Sequence, residues 1–178
     1  MSAGHALLGL LAEGKRHGYD LRRQYQRRFP AAKPLAAAQI YTTLERLVRD
    51  GFVVAGATER VGGPDRTVFA VTASGRVELQ RWLSDVETPS EFVANLLSMK
   101  VTLALLVADQ NVAADFLSRQ RAAHLDRMRE HTKVKSDPDT DLLRVIAADY
   151  AINHLDADLR WIETTLHRVT QLAEEIRP

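Results

Sequence analysis

Gln39, Thr42, Thr43, Arg46 and Arg49 carry the side-chain chemistry with which proteins read nucleic acid. A Gln amide can pair in bidentate fashion with adenine, a Thr offers a hydroxyl or a methyl group, and an Arg grips guanine or a phosphate. All five fall between Leu35 and Asp50, a stretch without Gly or Pro that ends at Gly51, a residue type common just past a helix C-terminus. With Ile40, Leu44, Leu47 and Val48 as the buried stripe, a turn of about 100° per residue places Thr42, Arg46 and Arg49 opposite, and Gln39 and Thr43 towards one flank. Solvated helices also expose Arg, Gln and Thr, so the face gains meaning from the elements around it.

Those elements are short and distinct. Ala6, Leu7, Leu8, Leu10 and Leu11 predict a first helix that stops at Glu13-Gly14. After the basic turn Lys15-Arg16, the residues Tyr19, Leu21, Tyr25 and Phe29 recur at near-helical spacing until Pro30 and Pro34 end a second helix. Phe52-Val53-Val54 and Thr67-Val68-Phe69-Ala70-Val71 predict a two-stranded hairpin whose tip is Val61-Gly62-Gly63-Pro64-Asp65-Arg66. Arg60 and Arg66 flank that tip. Three helices and a hairpin outline a winged helix-turn-helix, which offers a recognition helix to the major groove and a basic loop to the backbone beside it. The charge is distributed to match. Residues 1–87 hold 13 Lys and Arg against 9 Asp and Glu, net +4, whereas residues 88–178 hold 11 against 14, net −3. Between Lys15 and Arg49 nine basic residues, Arg22 and Lys33 among them, face only Asp20 and Glu45, so helices two and three make the basic surface.

At this point the chain resembles the PadR-like transcriptional regulators of bacteria. The resemblance rests on Leu8-Gly9-Leu10-Leu11-Ala12-Glu13-Gly14, His17-Gly18-Tyr19-Asp20-Leu21, Ile40-Tyr41 with Leu44-Glu45-Arg46-Leu47, Gly51-Phe52-Val53, Gly62-Gly63-Pro64, and Val71-Thr72-Ala73-Ser74-Gly75-Arg76. The family pattern usually has Pro directly after the Tyr of helix three, where this chain has Thr42. It often has a small Ser, or Pro with Gly, before that Tyr, where this chain has Ala37-Ala38-Gln39. The resemblance implies a homodimeric repressor on a two-fold-related operator of double-stranded DNA, with Tyr41 and its neighbours at the DNA and the wing Arg in or beside the minor groove. The expected DNA-contacting set is Tyr19, Arg22, Lys33, Gln39, Tyr41, Thr42, Thr43, Arg46, Arg49, Gly62, Gly63 and Arg66.

The expected fold is mainly α with a small β-hairpin wing: a winged helix-turn-helix over residues 1–87 and an all-helical region over 88–178 for dimerisation and effector response. Thr72 can cap a helix through about Val86, Thr88-Pro89-Ser90 breaks the chain, and a new helix starts at Glu91. In it Phe92, Leu96, Met99, Leu103 and Leu106 form one apolar flank and Val93, Leu97, Val101 and Leu105 a second, which predicts a core helix lying between others. Asp109 or Asn111 can cap the following helix, which buries Phe116, Leu117, Leu125 and Met128 and ends near Lys135. In the last helix Val145, Ala148, Ile152, Leu155, Leu159, Ile162, Leu166, Val169, Ala173 and Ile176 alternate at three and four residues, a heptad seam. Periodicity alone allows the seam to pack within its own chain or against a second copy. The resemblance points to a dimer interface through Ile152, Leu155, Leu159, Ile162, Leu166 and Val169, and a reader of two-fold DNA needs one.

Other chemistry is thinly represented. Without Cys there is no disulfide or thiolate site. Asp137-Pro138-Asp139-Thr140-Asp141 mimics the start of a calcium loop, but Leu142 stands where its Gly belongs and Ala148 where its Glu belongs, so a loop and helix cap fits better. His124, His131, His154 and His167 lack zinc spacing, and no Ser sits in a nucleophile elbow. No cofactor, metal or enzymatic activity is expected. The first apolar run makes a poor signal peptide and no window of about 18 apolar residues exists, which together predict a cytoplasmic protein without a membrane partner. By resemblance, a small aromatic or hydrophobic effector would meet Trp82, Phe92, Met99, Tyr150 and Trp161, all of which ordinary core packing would equally use. A winged helix serving purely as a protein-interaction module is the alternative.

Overall fold

The computed structural model describes residues 3–30, 32–59, 66–87 and 96–176, and the chain divides into two compact units, Met1–Thr88 and Pro89–Pro178. The wing tip with Gly62 and Gly63, and the expected helix start at Glu91 with Phe92, lie outside the described residues.

The first unit runs α1 (Ala3–Ala12), β1 (Arg16–His17), α2 (Gly18–Arg28), α3 (Ala37–Arg49), β2 (Val53–Glu59), β3 (Arg66–Val71) and α4 (Ala73–Ser84). Its α1 is apolar on nearly every side and buries Leu7, Leu8, Leu10 and Leu11 at the centre. Around it close Leu21 and Tyr25 of α2, Ile40, Leu44 and Leu47 of α3, Val53 and Phe69. Burying each such aliphatic side chain stabilises the unit by about 1.5–3 kcal/mol. Helix α3 starts at Ala37 instead of Leu35, because Ala36 is still extended and supplies the first helical acceptor, to the Ile40 N–H. It ends where Gly51, at φ 75°, turns the chain so that its own N–H and that of Phe52 satisfy the last carbonyls.

The hairpin is joined by a third strand. The sheet order is β1-β3-β2, with Arg16 opposite Phe69 and His17 opposite Val68. The residues read from sequence as a basic turn are therefore an edge strand, two residues long, created by pairing with a segment fifty positions away. Strands β2 and β3 pair antiparallel from Val53 opposite Val71, with an irregularity between Ala55 and Thr58.

Helix α4 is locked onto the end of α3. The Thr72 Oγ1 accepts from the Gly75 N–H at 3.0 Å and donates to the Gly51 carbonyl at 2.8 Å, while the Ser74 hydroxyl donates to the same carbonyl at 3.0 Å. Gly75 fits because it has no side chain: a Cβ there would lie 2.1 Å from the Phe52 carbonyl oxygen. At the other face, His5 of α1 stacks on Trp82 of α4, with ring centroids 4.7 Å apart and planes 6° from parallel. The His5 Nε2 lies 3.1 Å from a Glu78 oxygen, and Arg81 bonds Glu78 at 2.8 and 3.0 Å. Arg81 first, and His5 after it, hold the Glu78 carboxyl at about 2, well below its usual 4.5; the same contact raises Arg81.

The second unit contains α5 (Leu96–Val107), α6 (Gln110–Ser136) and α7 (Leu142–Ile176). Asp109 caps α6 by accepting from the Asn111 and Val112 N–H groups. In the acidic loop, Asp137 accepts from the Asp139 N–H and Asp141 from the Arg144 N–H. Helices α6 and α7 pack as a long hairpin, tied by Arg121 to Glu163 at 3.1 Å, His124 to Asp158 at 3.5 Å, and Lys135 to Asp149. Val101 and Leu105 of α5, Ala113 and Leu117 of α6, and Ile162 and Val169 of α7 form the core.

One expectation changes here, and one open alternative gains support. Helix α5 is covered on one flank: Val101 and Leu105 are buried, but Leu96, Met99, Leu103 and Leu106 are at least half exposed, so among the described residues no second layer covers that side. The heptad seam of α7 finds partners in its own chain. Leu159, Ile162 and Val169 are buried, and Leu166 is packed against the core formed with α5 and α6. No helix among the described residues is long and apolar enough to cross a membrane, and none of the described His, Asp or Glu residues group in threes that could hold a metal.

Candidate nucleic-acid interface

Burial of Ile40, Leu44 and Leu47 fixes the rotation of α3 and turns Thr42, Arg46 and Arg49 outward, where all three are exposed. Together with Thr43 and Glu45 they line a shallow groove on the surface of the first unit. Arg49 lies 3.5 Å from Asp50, whereas Arg46 has no ion-pair partner among the described residues, so its guanidinium is available to an incoming anion. Glu45 is the single carboxylate of this groove and opposes an anionic ligand.

Two side chains of the recognition face are engaged with the helix itself. The Gln39 Oε1 accepts from the Ala36 N–H at 2.9 Å, satisfying a free donor at the α3 N-terminus. Bidentate pairing with adenine uses both the oxygen and the nitrogen of the amide, so Gln39 must first release this bond. The Thr43 hydroxyl donates to the Gln39 carbonyl at 2.7 Å, which leaves its methyl group and oxygen lone pairs for a ligand. Side-chain to backbone bonds of this kind are local, and a Gln three residues after a helix start was the signal for the first.

Apart from Tyr41, the remaining candidates lie on other elements of the same unit. Tyr19 and Arg22 are exposed on α2, and Lys33 is exposed in the connection between α2 and α3. Arg22 and Lys33, like Arg46, lack ion-pair partners among the described residues, whereas Arg23 lies 3.7 Å from Asp20, and Arg16 and Arg28 both pair with Glu13. Tyr19 joins the surface instead of the apolar stripe that its spacing with Leu21 and Tyr25 predicted. Tyr41 is half-exposed on a flank of α3, and its ring lies against Gly18 at the start of α2. That contact escaped the sequence reading, although a Gly in the first turn of a helix, where it is a poor former, was a sign of close packing. Arg66 begins β3, and the glycines of the tip lie outside the described residues.

The expected effector residues fall on different elements. Trp82 belongs to the first unit, where it stacks on His5. Met99 is exposed on α5, and Tyr150 is exposed on α7 with its ring 4.1 Å from that of His154. Trp161 lines a groove with Thr164, Thr165, Arg168, Gln171, Leu172 and Glu175 that includes none of the other candidates.

Comparison with known proteins agrees with this arrangement. The chain is 34% identical over 90 residues to the probable transcriptional regulator Rv1176c of Mycobacterium tuberculosis, a match spanning 51% of this chain and 48%, about half, of that relative. It is 25% identical over 133 residues to the negative transcriptional regulator PadR of Bacillus subtilis, spanning 73% of each. The crystal structure of Bacillus subtilis PadR in complex with operator DNA shares the fold at a TM-score of 0.70 and 22% identity, covering 93% of this chain and 98% of that one. The p-coumaric acid complex of the same PadR matches at a TM-score of 0.70 and 20% identity, covering 93% and 97%. These relatives are regulators of transcription, and none is named as an enzyme. Residues 7–81 match the transcriptional regulator PadR-like family.

Proposed function

We propose that this transcriptional regulator binds operator DNA as a homodimer, with α3 in the major groove and the wing beside it, and represses until a small aromatic or hydrophobic ligand releases it. The observation that carries DNA binding is the outward face of α3: Thr42, Arg46 and Arg49 exposed together, with the Arg46 guanidinium unpaired among the described residues, on a helix whose opposite side is buried. Arg46 and Arg49 supply the charge, Thr42 and Thr43 meet base edges, and Arg22, Lys33 and Arg66 fix the protein on the phosphates. Gln39 reads a base after leaving its cap. The site of action is then the cytoplasm, where the DNA is.

Dimerisation is supported by apolar surface in the second unit that no described residue covers. Leu96, Met99, Leu103 and Leu106 form one exposed stripe on α5, and Leu142, Leu143, Ile146 and Tyr150 form another at the start of α7. A two-fold interface pairs each patch of one copy with the other patch of its mate, twice over, and two separate apolar patches suit that requirement. The second copy therefore covers these stripes more than the α7 seam, of which Ile152 and Leu155 are half-buried and the C-terminal part is occupied. Release by a ligand rests on the p-coumaric acid complex of Bacillus subtilis PadR and on the groove beside Trp161. A ligand there would act by changing the separation of the two recognition helices, for which a coupling of about 1–3 kcal/mol suffices.

Fluorescence anisotropy on duplexes selected from a random pool tests the reading. Specific binding that weakens steeply with salt is expected, with Arg46→Ala costing about 1–3 kcal/mol. Absence of binding to any duplex, with partner proteins still retained, would establish the interaction module instead.

A further inference from the structure

Glycine serves a fold either by adopting positive φ or by having no side chain. Among the described glycines only Gly14 and Gly51 have positive φ. Gly18, the buried first residue of α2, has no such backbone requirement. Its use is therefore space. A Cβ at Gly18 would lie 2.7 Å from Cε1, 2.9 Å from Cζ and 3.0 Å from the hydroxyl oxygen of Tyr41. The atoms met are the far end of one side chain, not backbone. That ring is 46% exposed, so it can swing aside into solvent without opening the core. What the contact determines is the position of the phenol, whose hydroxyl has no hydrogen-bond partner among the described residues and stands between the two helices of the helix-turn-helix.

We propose that Gly18 is a positioning residue for DNA binding: its missing side chain seats the Tyr41 phenol against the first turn of α2, from where the free hydroxyl donates to the DNA backbone. The inference rests on the DNA-binding reading above and adds a residue that touches no DNA itself. Tyr hydroxyls donate to phosphate oxygens, and such contacts set register without reading sequence. The loss on displacing the ring is therefore the same for operator and scrambled duplex.

A double-mutant cycle decides it, with anisotropy on a selected duplex and on its scrambled counterpart, and thermal melting of every variant. Gly18→Ala and Tyr41→Ala should each weaken both duplexes by about tenfold, the size of one lost contact, and the double variant should bind no worse than Tyr41→Ala alone. Undiminished binding by Gly18→Ala overturns the inference, as does an equal loss from Gly18→Ala in the Tyr41→Ala background. Should Gly18→Ala fail to fold, Tyr41→Ala must restore folding by removing the obstructed ring; failure to do so also overturns it. If the parent protein binds neither duplex, the DNA-binding reading falls and this inference falls with it, whereas failure of the cycle with the parent binding normally removes Gly18 alone.

Discussion

The two units bury their apolar residues to different degrees of completeness. In the first, α1 is enclosed by α2, α3, α4 and the sheet, and the large apolar side chains left exposed, Tyr19, Tyr41, Val54, Val77, Leu83 and Val86, are scattered over several elements. In the second, α6 and α7 make a long hairpin whose core takes one flank of α5, and Leu96, Met99, Leu103, Leu106, Ile146 and Tyr150 stay in solvent. Exposed apolar residues clustered in this way are the surface on which the proposed dimer rests. The first unit closes its core around α1, whereas the second leaves the outer flank of α5 and the start of α7 to solvent, the surface that the proposed dimer would cover.

The largest expected effect comes from challenging that difference directly. Met99→Glu with Leu103→Glu places charge on the exposed α5 stripe, so the monomer should stay folded while sedimentation shows the dimer gone. With one half-site engaged instead of two, operator affinity should fall by roughly 10²-fold or more. A double variant that remains dimeric removes α5 from the interface. Ile162→Ala is the counterpart inside the chain: completely buried, it should cost about 2–5 kcal/mol in denaturant unfolding even of the monomeric variant. If Ile162→Ala shifts only the monomer–dimer equilibrium, the seam belongs between chains after all.

Smaller effects sharpen the picture of the first unit. Gly75→Ala should destabilise it by about 1–3 kcal/mol through the clash with the Phe52 carbonyl, lowering the melting temperature without changing dimer mass. The contrast with Gly18 is instructive, since one glycine makes room for backbone and the other for the tip of a side chain. The smallest effect is in acid. The Glu78 carboxyl is held at about 2 in the folded state against 4.5 ordinarily, so its contribution is complete above about pH 5 and lost as pH falls towards 2. Glu78→Gln should flatten this part of the pH–stability curve, and salt should shrink the difference because the pair lies near the surface.

Legibility followed the range of the interactions. The inner stripe of α3, the turn at Gly51 and the cap at Thr72 are set by neighbours within a few residues, and the sequence displays them openly. Strand β1 could not be read, because two residues hold no periodicity and Arg16-His17 becomes a strand only by pairing with Val68 and Phe69. The Gln39 cap and the Thr43 back-bond are local but compete with an equally plausible outward pose, and only coordinates choose between them. The heptad seam shows the opposite limit. Its spacing was unmistakable, yet spacing says that a helix is covered and is silent on whose chain does the covering.

The stack of Trp82 on His5 has a use in spectroscopy. The chain's two tryptophans fall one to each unit, Trp82 in the first and Trp161 in the second. Replacing either with Phe leaves a single emitter whose signal belongs to one unit. With Trp82 alone, emission follows the joint between α1 and α4 as it opens; with Trp161 alone, it follows the hairpin of α6 and α7 and anything that enters the groove beside it. The protein thus carries its own pair of optical labels, able to show whether a ligand felt in one half is ever felt in the other.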